Sequence, residues 1–372
     1  MTIALVAHYI GPKMGIGVYI DRLVPPLVKQ LEARGIDVKI ISSPNAFENT
    51  PALQNHHSIV EILPALDASP LKRYGWMCTK FAPYCRERNI DQVMWLSNPI
   101  VLPWHPPSIA VIHDVNEWKA KDKYGSRLKT SLRSLIYLDA SIQFARQIIL
   151  VSKATEADLL HFRPEPELWK KVRTIPNGVD SPLAGLVPAE INAPKAPFLL
   201  SVGRIDPIGK RLPEAVELVR ALREASGKPW ELHLAGGMNA STQQAGEQFL
   251  ESVKSIPWVH CRGYMSDPEL AAWYIHSTAV VFLSEHEGFG SPVAEAASFD
   301  RRVIVSKMNQ ASRESGGDSV IAIDPDYPTE AAKIVLNELS EKRSQVYKNT
   351  YTYADAAVHY TDEISGLSFI LA

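Results

Sequence analysis

Ala279-Val280-Val281-Phe282-Leu283-Ser284-Glu285-His286-Glu287-Gly288-Phe289-Gly290-Ser291-Pro292-Val293-Ala294-Glu295 reads as a strand, a glycine loop and the start of a helix in direct succession. Five apolar residues end at Ser284, Gly288 and Gly290 free the loop backbone, and Pro292 suits a first helical turn, where its missing N–H costs nothing. Backbone N–H groups at such a helix start face an anion. Glu287 stands in the loop and Glu295 about one turn inside the helix. One carboxylate is thus placed to reach a sugar and the other a ribose diol, on opposite sides of a bound diphosphate. Two merely exposed glutamates are the dull alternative, and the order of glycines, proline and both acids argues against it.

The same alternation of apolar runs and amphipathic stretches extends over the whole chain, as parallel α/β units require. In the first half, strands are expected at Ile3–His8, Val38–Ser42, Gln92–Leu96, Ile109–His113 and Gln147–Val151, with a helix over Tyr19–Arg34. In the second half they are expected at Phe198–Val202, Glu231–Ala235, Val259–Arg262, Ala279–Leu283 and Val303–Val305, with helices at Leu212–Ala225, Asp267–His276 and Ser291–Ala297. Between the halves, residues 181–197 hold four prolines and little periodicity, the mark of a linker. A length of 372 residues also exceeds the roughly 250–300 at which single cores stop growing. The fold expected is α/β with two Rossmann-like domains, residues 1–180 and 198–350.

Three further sites carry weaker signals. Gly15-Ile16-Gly17 lies between the first strand and the first helix, where glycine lets a backbone approach a ligand. It is no P-loop, lacking Gly-Lys-Ser/Thr, and no dinucleotide fingerprint, lacking a third glycine and an acid after the second strand. A simple turn remains open. His113-Asp114 ends an apolar strand, the place where open α/β sheets bind ligands, although a polar strand cap has the same spelling. Gly203-Arg204 follows another strand, with Lys210 six residues after Arg204. Two fixed cations at a strand exit suit a diphosphate that gathers charge as it departs, while scattered surface charge is the alternative.

Taken in order, Gly15-Ile16-Gly17, His113-Asp114, Val151-Ser152, Ile175-Pro176-Asn177-Gly178-Val179-Asp180, Ser201-Val202-Gly203-Arg204 with Lys210, and Glu287 and Glu295 with seven residues between them make the chain resemble the retaining GT-B enzymes of glycosyltransferase family 4 over nearly its whole length. The resemblance implies two Rossmann-like domains facing each other across a cleft, with a C-terminal segment, residues 351–372, crossing back onto the first. It implies that Arg204 and Lys210 hold the donor diphosphate, that Glu295 binds the nucleotide ribose, and that Glu287 and His113 contact the transferred sugar. Gly203, Gly288, Phe289, Gly290 and Ser291 complete the donor site, and Gly15 and Gly17 approach the phosphates from the opposing domain. The chemistry implied is metal-independent hexose transfer with retention. The glycine block looks most like bacterial mannosyltransferases, so GDP-mannose is the expected donor and a glycan or lipid-linked acceptor in surface polysaccharide synthesis the expected partner. Pro207-Ile208-Gly209 and Arg211 depart from the family's usual turn beside Lys210. A non-catalytic nucleotide-binding scaffold of this fold and a sugar-nucleotide epimerase are the alternatives.

Composition fits an ordinary globular protein, at 46% hydrophobic and 22% charged. The N-terminus lacks a secretory pattern, and three cysteines, Cys78, Cys85 and Cys261, lack metal-ligand spacing, so a reduced, cytoplasmic protein is expected. Residues 1–180 carry 22 basic and 17 acidic side chains, +5, leaving 17 and 24, or −7, for the rest. The basic excess peaks at Lys119, Lys121, Lys123, Arg127, Lys129 and Arg133. This is either a solvated helix face or a patch for an anionic membrane surface, with peripheral attachment on the inner face. Nothing suggests nucleic acid or a cofactor. Asp324-Pro325-Asp326 spells a metal motif, but it is expected to be a turn far from the donor block. His56-His57, without a partner at ligand spacing, reads as surface loop.

Overall fold

The computed structural model describes residues 1–9, 15–119, 127–179, 186–238, 242–341 and 351–371. Two compact units make up the chain, Met1–Gly178 with Tyr351–Ala372, and Val179–Thr350. Each is a Rossmann-like α/β domain.

The first unit is built on seven parallel strands, β1 (Thr2–Val6), β2 (Asp37–Ser42), β3 (Val60–Ile62), β4 (Gln92–Trp95), β5 (Ser108–Ile112), β6 (Gln147–Leu150) and β7 (Val172–Thr174), in spatial order 3-2-1-4-5-6-7. Its central strands are buried along their whole length, the consequence of helices covering both faces of a parallel sheet. A helix over Gly15–Ala33 turns Leu23, Leu27 and Leu31 to the core. It begins four residues earlier than its apolar periodicity suggests, so Gly15 and Gly17 belong to its first turns. Pro25 and Pro26 lie inside it, where a proline ordinarily costs about 3 kcal/mol. The continuous buried face holds the helix together across them.

A final helix, Tyr353–Leu371, packs in the same unit along the Gly15–Ala33 helix. The Tyr19 and Tyr360 hydroxyls share a buried hydrogen bond of 2.8 Å. Arg34 pairs with Asp362, and the Gln147 amide donates to Glu363. Where this helix begins, the Thr352–Tyr353 backbone presses on Gly178, so closely that a Cβ on Gly178 would overlap the Tyr353 amide nitrogen.

Six parallel strands form the second unit: β8 (Phe198–Val202), β9 (Glu231–Ala235), β10 (Val259–Gly263), β11 (Ala279–Phe282), β12 (Val303–Ser306) and β13 (Val320–Ile323), in order 10-9-8-11-12-13. The order reverses between β8 and β11, which are neighbours, and ligands of open α/β sheets gather at the carboxyl ends of such a pair. Residues 186–197 of the linker carry no helix or strand. Within the unit Ala189 N–H donates to the Pro268 carbonyl at 3.0 Å, and Ile191 packs on the core. Among the described residues no helix is long and apolar enough to cross a membrane.

Candidate functional site

In the second unit, glycines stitch the strand exits together. Gly203, directly after β8, has φ +139 and its N–H donates to the Ala235 carbonyl at 2.9 Å. Gly236, directly after β9, has φ +144, and a Cβ there would run into the Gly203 carbonyl oxygen. Both angles are rarely adopted by residues with side chains. Gly236 escaped the sequence reading, although it follows a strand in the manner of Gly203.

Beyond Gly203 the chain makes a tight turn around Asp206. Its carboxylate accepts the Gly209 N–H at 2.9 Å and its carbonyl the Lys210 N–H, also at 2.9 Å. This turn returns Lys210 to the strand exit, with its Cε 4.0 Å from where a Cβ on Gly203 would stand. Lys210 Nζ lies 4.4 Å from the centre of the Phe282 ring and forms an ion pair with Glu287. The two expected site residues thus meet, and each is largely buried, at 17% and 22% side-chain exposure. Arg204 is half-buried and makes no ion pair with any described residue.

The loop after β11 is anchored from the neighbouring strand. Asn309, buried after β12, donates to the Ser284 carbonyl at 2.6 Å and caps the following helix by accepting Ser312 N–H at 2.9 Å. Glu287 and Gly288 follow on the loop, and Phe289 is buried beneath it. Gly290 caps the helix Ser291–Ser298 at φ +86, and a Cβ would crowd the Ser312 and Ser315 hydroxyls at 3.0 and 3.1 Å. With Pro292 in the first turn, the Ser291 end of this helix presents its positive pole, suited to an anion. Glu295, one turn in, accepts from the Tyr274 hydroxyl at 3.1 Å. Burial, reinforced by this carboxylate, raises the Tyr274 pKa well above its ordinary value, so the phenol stays a donor.

Arg211, next to Lys210, turns the other way. Its guanidinium pairs with Glu214 at 2.9 Å, and with Glu285 and Asp326. The last contact corrects the expectation that Asp324-Pro325-Asp326 lies far from the donor block: one guanidinium joins Asp326 to the loop that carries Glu287. The motif is a turn, with Asp326 N–H on the Asp324 carboxylate at 3.2 Å, and Lys307 pairs with Asp324 at 2.7 Å. Both acids already hold a cation.

In the first unit, His113 follows β5 and its Nε2–H donates to the Leu96 carbonyl at 2.8 Å. Burial lowers its pKa, with the Leu96 carbonyl and Asp114 opposing. The neutral ring therefore keeps Nδ1 as an acceptor. The edge of Tyr19 packs against it, ring centres 4.7 Å apart. Gly17 is buried, whereas Gly15 is exposed and a Cβ there meets no described residue within 4 Å. Ser152 caps the helix Lys153–Phe162 by accepting Thr155 N–H at 3.0 Å, which gives the Val151-Ser152 segment a local structural job. His56 and His57 each hydrogen-bond a carbonyl of their own segment, Ala52 at 2.7 Å and Gln54 at 3.2 Å.

One group among the described residues offers three metal-ligand atoms, Glu231, His233 and His260 on β9 and β10. Its geometry favours a hydrogen-bond chain. The two imidazoles stack, 4.6 Å apart at 26°, so their lone pairs lie in nearly parallel planes. Arg262 donates to His233 Nδ1 at 3.0 Å, which leaves the ring proton on Nε2, 2.9 Å from Glu231.

Residues 15–181 match the family model described as Glycosyltransferase Family 4, and residues 188–354 match Glycosyl transferases group 1. No curated protein matches the chain in sequence. Among solved structures, Alr3699/HepE of Anabaena in complex with UDP and glucose is similar at 15% identity, over 97% of this chain and 94% of that one, with TM-score 0.67. Sucrose-phosphate synthase (tll1590) of Thermosynechococcus elongatus is similar at 18% identity over 100% of both chains, TM-score 0.65. UDP-GlcNAc 2-epimerase of Methanocaldococcus jannaschii shares the architecture at 13% identity over 98% and 99% of the chains, TM-score 0.59. At such identities the likeness is one of fold.

Proposed function

We propose, from the premise that this chain is a glycosyltransferase of the GT-B fold, that its second unit binds a nucleotide-sugar donor and that it transfers a hexose with retention, without a metal, to a glycan or lipid-linked acceptor. The observation that carries this reading is the Lys210–Glu287 pair beside Gly203, with Arg204 next in the chain after Gly203 and the positive end of the Ser291–Ser298 helix four residues after Glu287. A departing nucleoside diphosphate gathers negative charge, and fixed cations and helix N–H groups stabilise that charge without rearranging. Lys210 then exchanges one anionic partner for another as donor arrives, which frees Glu287 to face the sugar. The Tyr274 hydroxyl donates to Glu295 one helical turn away, which supports a role for this carboxylate in binding the ribose diol. His113 Nδ1 would accept from a sugar hydroxyl.

GDP-mannose is the first donor to test, because the glycine block resembles mannosyltransferases. UDP-glucose is the second, because HepE of Anabaena has been crystallised with UDP and glucose. Surface polysaccharide synthesis, on a peripheral membrane site, is the proposed setting. A thermal-shift panel of GDP-, UDP-, dTDP- and ADP-sugars tests the assignment, since a ligand at 100 times its Kd stabilises by about 2.7 kcal/mol. No shift with any of them would remove the donor reading. Full transfer activity in excess EDTA is expected. Loss on chelation, restored by Mg²⁺ or Mn²⁺, would overturn the metal-free mechanism.

The fold shared with an epimerase supports a second reading, interconversion of sugar nucleotides. Transfer releases nucleoside diphosphate only when an acceptor is present, whereas epimerisation converts the donor alone, so donor analysis with and without acceptor separates them.

A further inference from the structure

Arg211 has φ +50 and ψ 47, the left-handed conformation, although it is not glycine. That conformation costs a residue with a side chain about 1–2 kcal/mol. Strain of this kind persists where the surroundings over-determine it. Here the side chain is only 15% exposed, and its fork reaches carboxylates from three separate segments: Glu214 in the first turn of the helix Leu212–Ser226, Glu285 in the loop after β11, and Asp326 in the turn after β13. The pairing forms a ladder. Lys210 and Arg211 are adjacent, Glu287 and Glu285 are two residues apart, and each cation takes one acid. The Lys210–Glu287 rung is the one a donor must open. The Arg211 rung is braced by two further acids and stays closed.

We propose that Arg211 is a positioning residue, which locks the Asp206–Lys210 turn to the 284–290 loop so that Lys210 and Glu287 hold their places when their own ion pair opens to the donor. The proposal rests on the donor-site reading above and explains why Asp326 is there. It also means that Arg211, committed to three carboxylates, adds no third cation for the diphosphate. Left-handed backbone with a multidentate planar fork is a demand that lysine cannot meet.

Arg211→Gly tests this, because glycine keeps the backbone conformation without strain and removes all three contacts, while Glu285→Gln weakens one. Hydrogen exchange of the ligand-free protein should show residues 206–210 and 284–290 opening about tenfold faster in Arg211→Gly, with the central strands β8 and β11 unchanged. Donor turnover should fall by about 10- to 100-fold, the scale of a small misplacement of reacting groups, with KM moved much less and Arg211→Lys failing to restore kcat. Unchanged exchange in the two loops, or faster exchange throughout the unit, overturns the assignment. If the wild type binds no sugar nucleotide, the donor reading falls alone, and the exchange result still decides the role of Arg211.

Discussion

Lys210 stands in the site with its charge already matched, Nζ against a Glu287 oxygen and over the Phe282 ring. Substituting it removes a cation and strands a largely buried carboxylate at once. Arg204 has no such partner among the described residues, so its loss should disturb the ligand-free protein less. Lys210→Ala and Arg204→Ala should each lower turnover by about 10²–10³, the usual scale for one charge-stabilising group. Lys210→Ala should also shift the melting temperature, and Arg204→Ala should not. Steady-state kinetics of folded variants measure this; activity within threefold of wild type for both would remove the diphosphate clamp. A second residue-scale expectation concerns His8, buried two residues after β1 with neither ring nitrogen partnered among the described residues. Burial, aided by the Arg73 charge, lowers its pKa from 6.5 to about 3. The folded state therefore binds fewer protons, so this contribution is complete above pH 6.5 and is lost as pH falls toward 3. Against His8→Leu, wild-type stability should fall more steeply in that window, by up to about 1.4 kcal/mol per pH unit, the effect of one proton. Parallel urea-denaturation curves for the two proteins from pH 6.5 to 4 would show the attribution to be wrong.

Elements follow a different logic from residues. Strands such as β5 and β6 were legible because each is a continuous apolar run, buried on both faces. The strands β3, β7 and β13 were not, being three or four residues long at sheet edges with part of their surface in water. Glycines at strand exits and the Pro292 helix start were equally legible, since local backbone rules choose those residue types. Arg211, Asn309 and Tyr274 could not be found that way. Their meaning comes from partners 74, 25 and 21 residues distant in sequence, and no local pattern encodes such a pairing. Gly178 combines both cases: its motif stands out in the sequence, yet its reason is the backbone of Thr352 and Tyr353. Backbone cannot yield as a flexible side chain can. Gly178→Ala should therefore cost about 1–3 kcal/mol, the range for overpacking, and loosen the Tyr353–Leu371 helix from the Gly15–Ala33 helix. Hydrogen exchange in residues 353–364 reads this directly. Unchanged protection there would mean that the two helices hold together without this close approach.

At the scale of the molecule, the uneven charge of the halves raises the question of what the +5 half faces. Of the six basic residues between 119 and 133, Lys119 pairs with Asp158 at 2.7 Å and Arg133 with Glu117 at 2.9 Å. Lys121 and Lys123, and the side chains of Arg127 and Lys129, lie outside the described residues. Charge is accompanied by apolar surface: Leu128, Leu132 and Leu135 are 80%, 56% and 60% exposed and recur at helical spacing, while Thr130 and Ser134 on the same segment are buried. An apolar stripe within a basic stretch of sequence suits a helix lying in a membrane interface. The proposed docking on an anionic surface should therefore have two components. Each basic residue near such a surface contributes about 1 kcal/mol, a part that fades as the screening length falls to about 3 Å at 1 M salt. The leucine part should persist in salt. Co-sedimentation with anionic and neutral vesicles at low and high salt separates them. A variant with Lys121, Lys123 and Lys129 changed to Gln should lose the salt-sensitive share, and one with Leu128, Leu132 and Leu135 changed to Ser the salt-resistant share. If both variants sediment as the wild type does, or the wild type ignores anionic vesicles at low salt, the segment is a solvated helix face and the acceptor reaches the enzyme by another route.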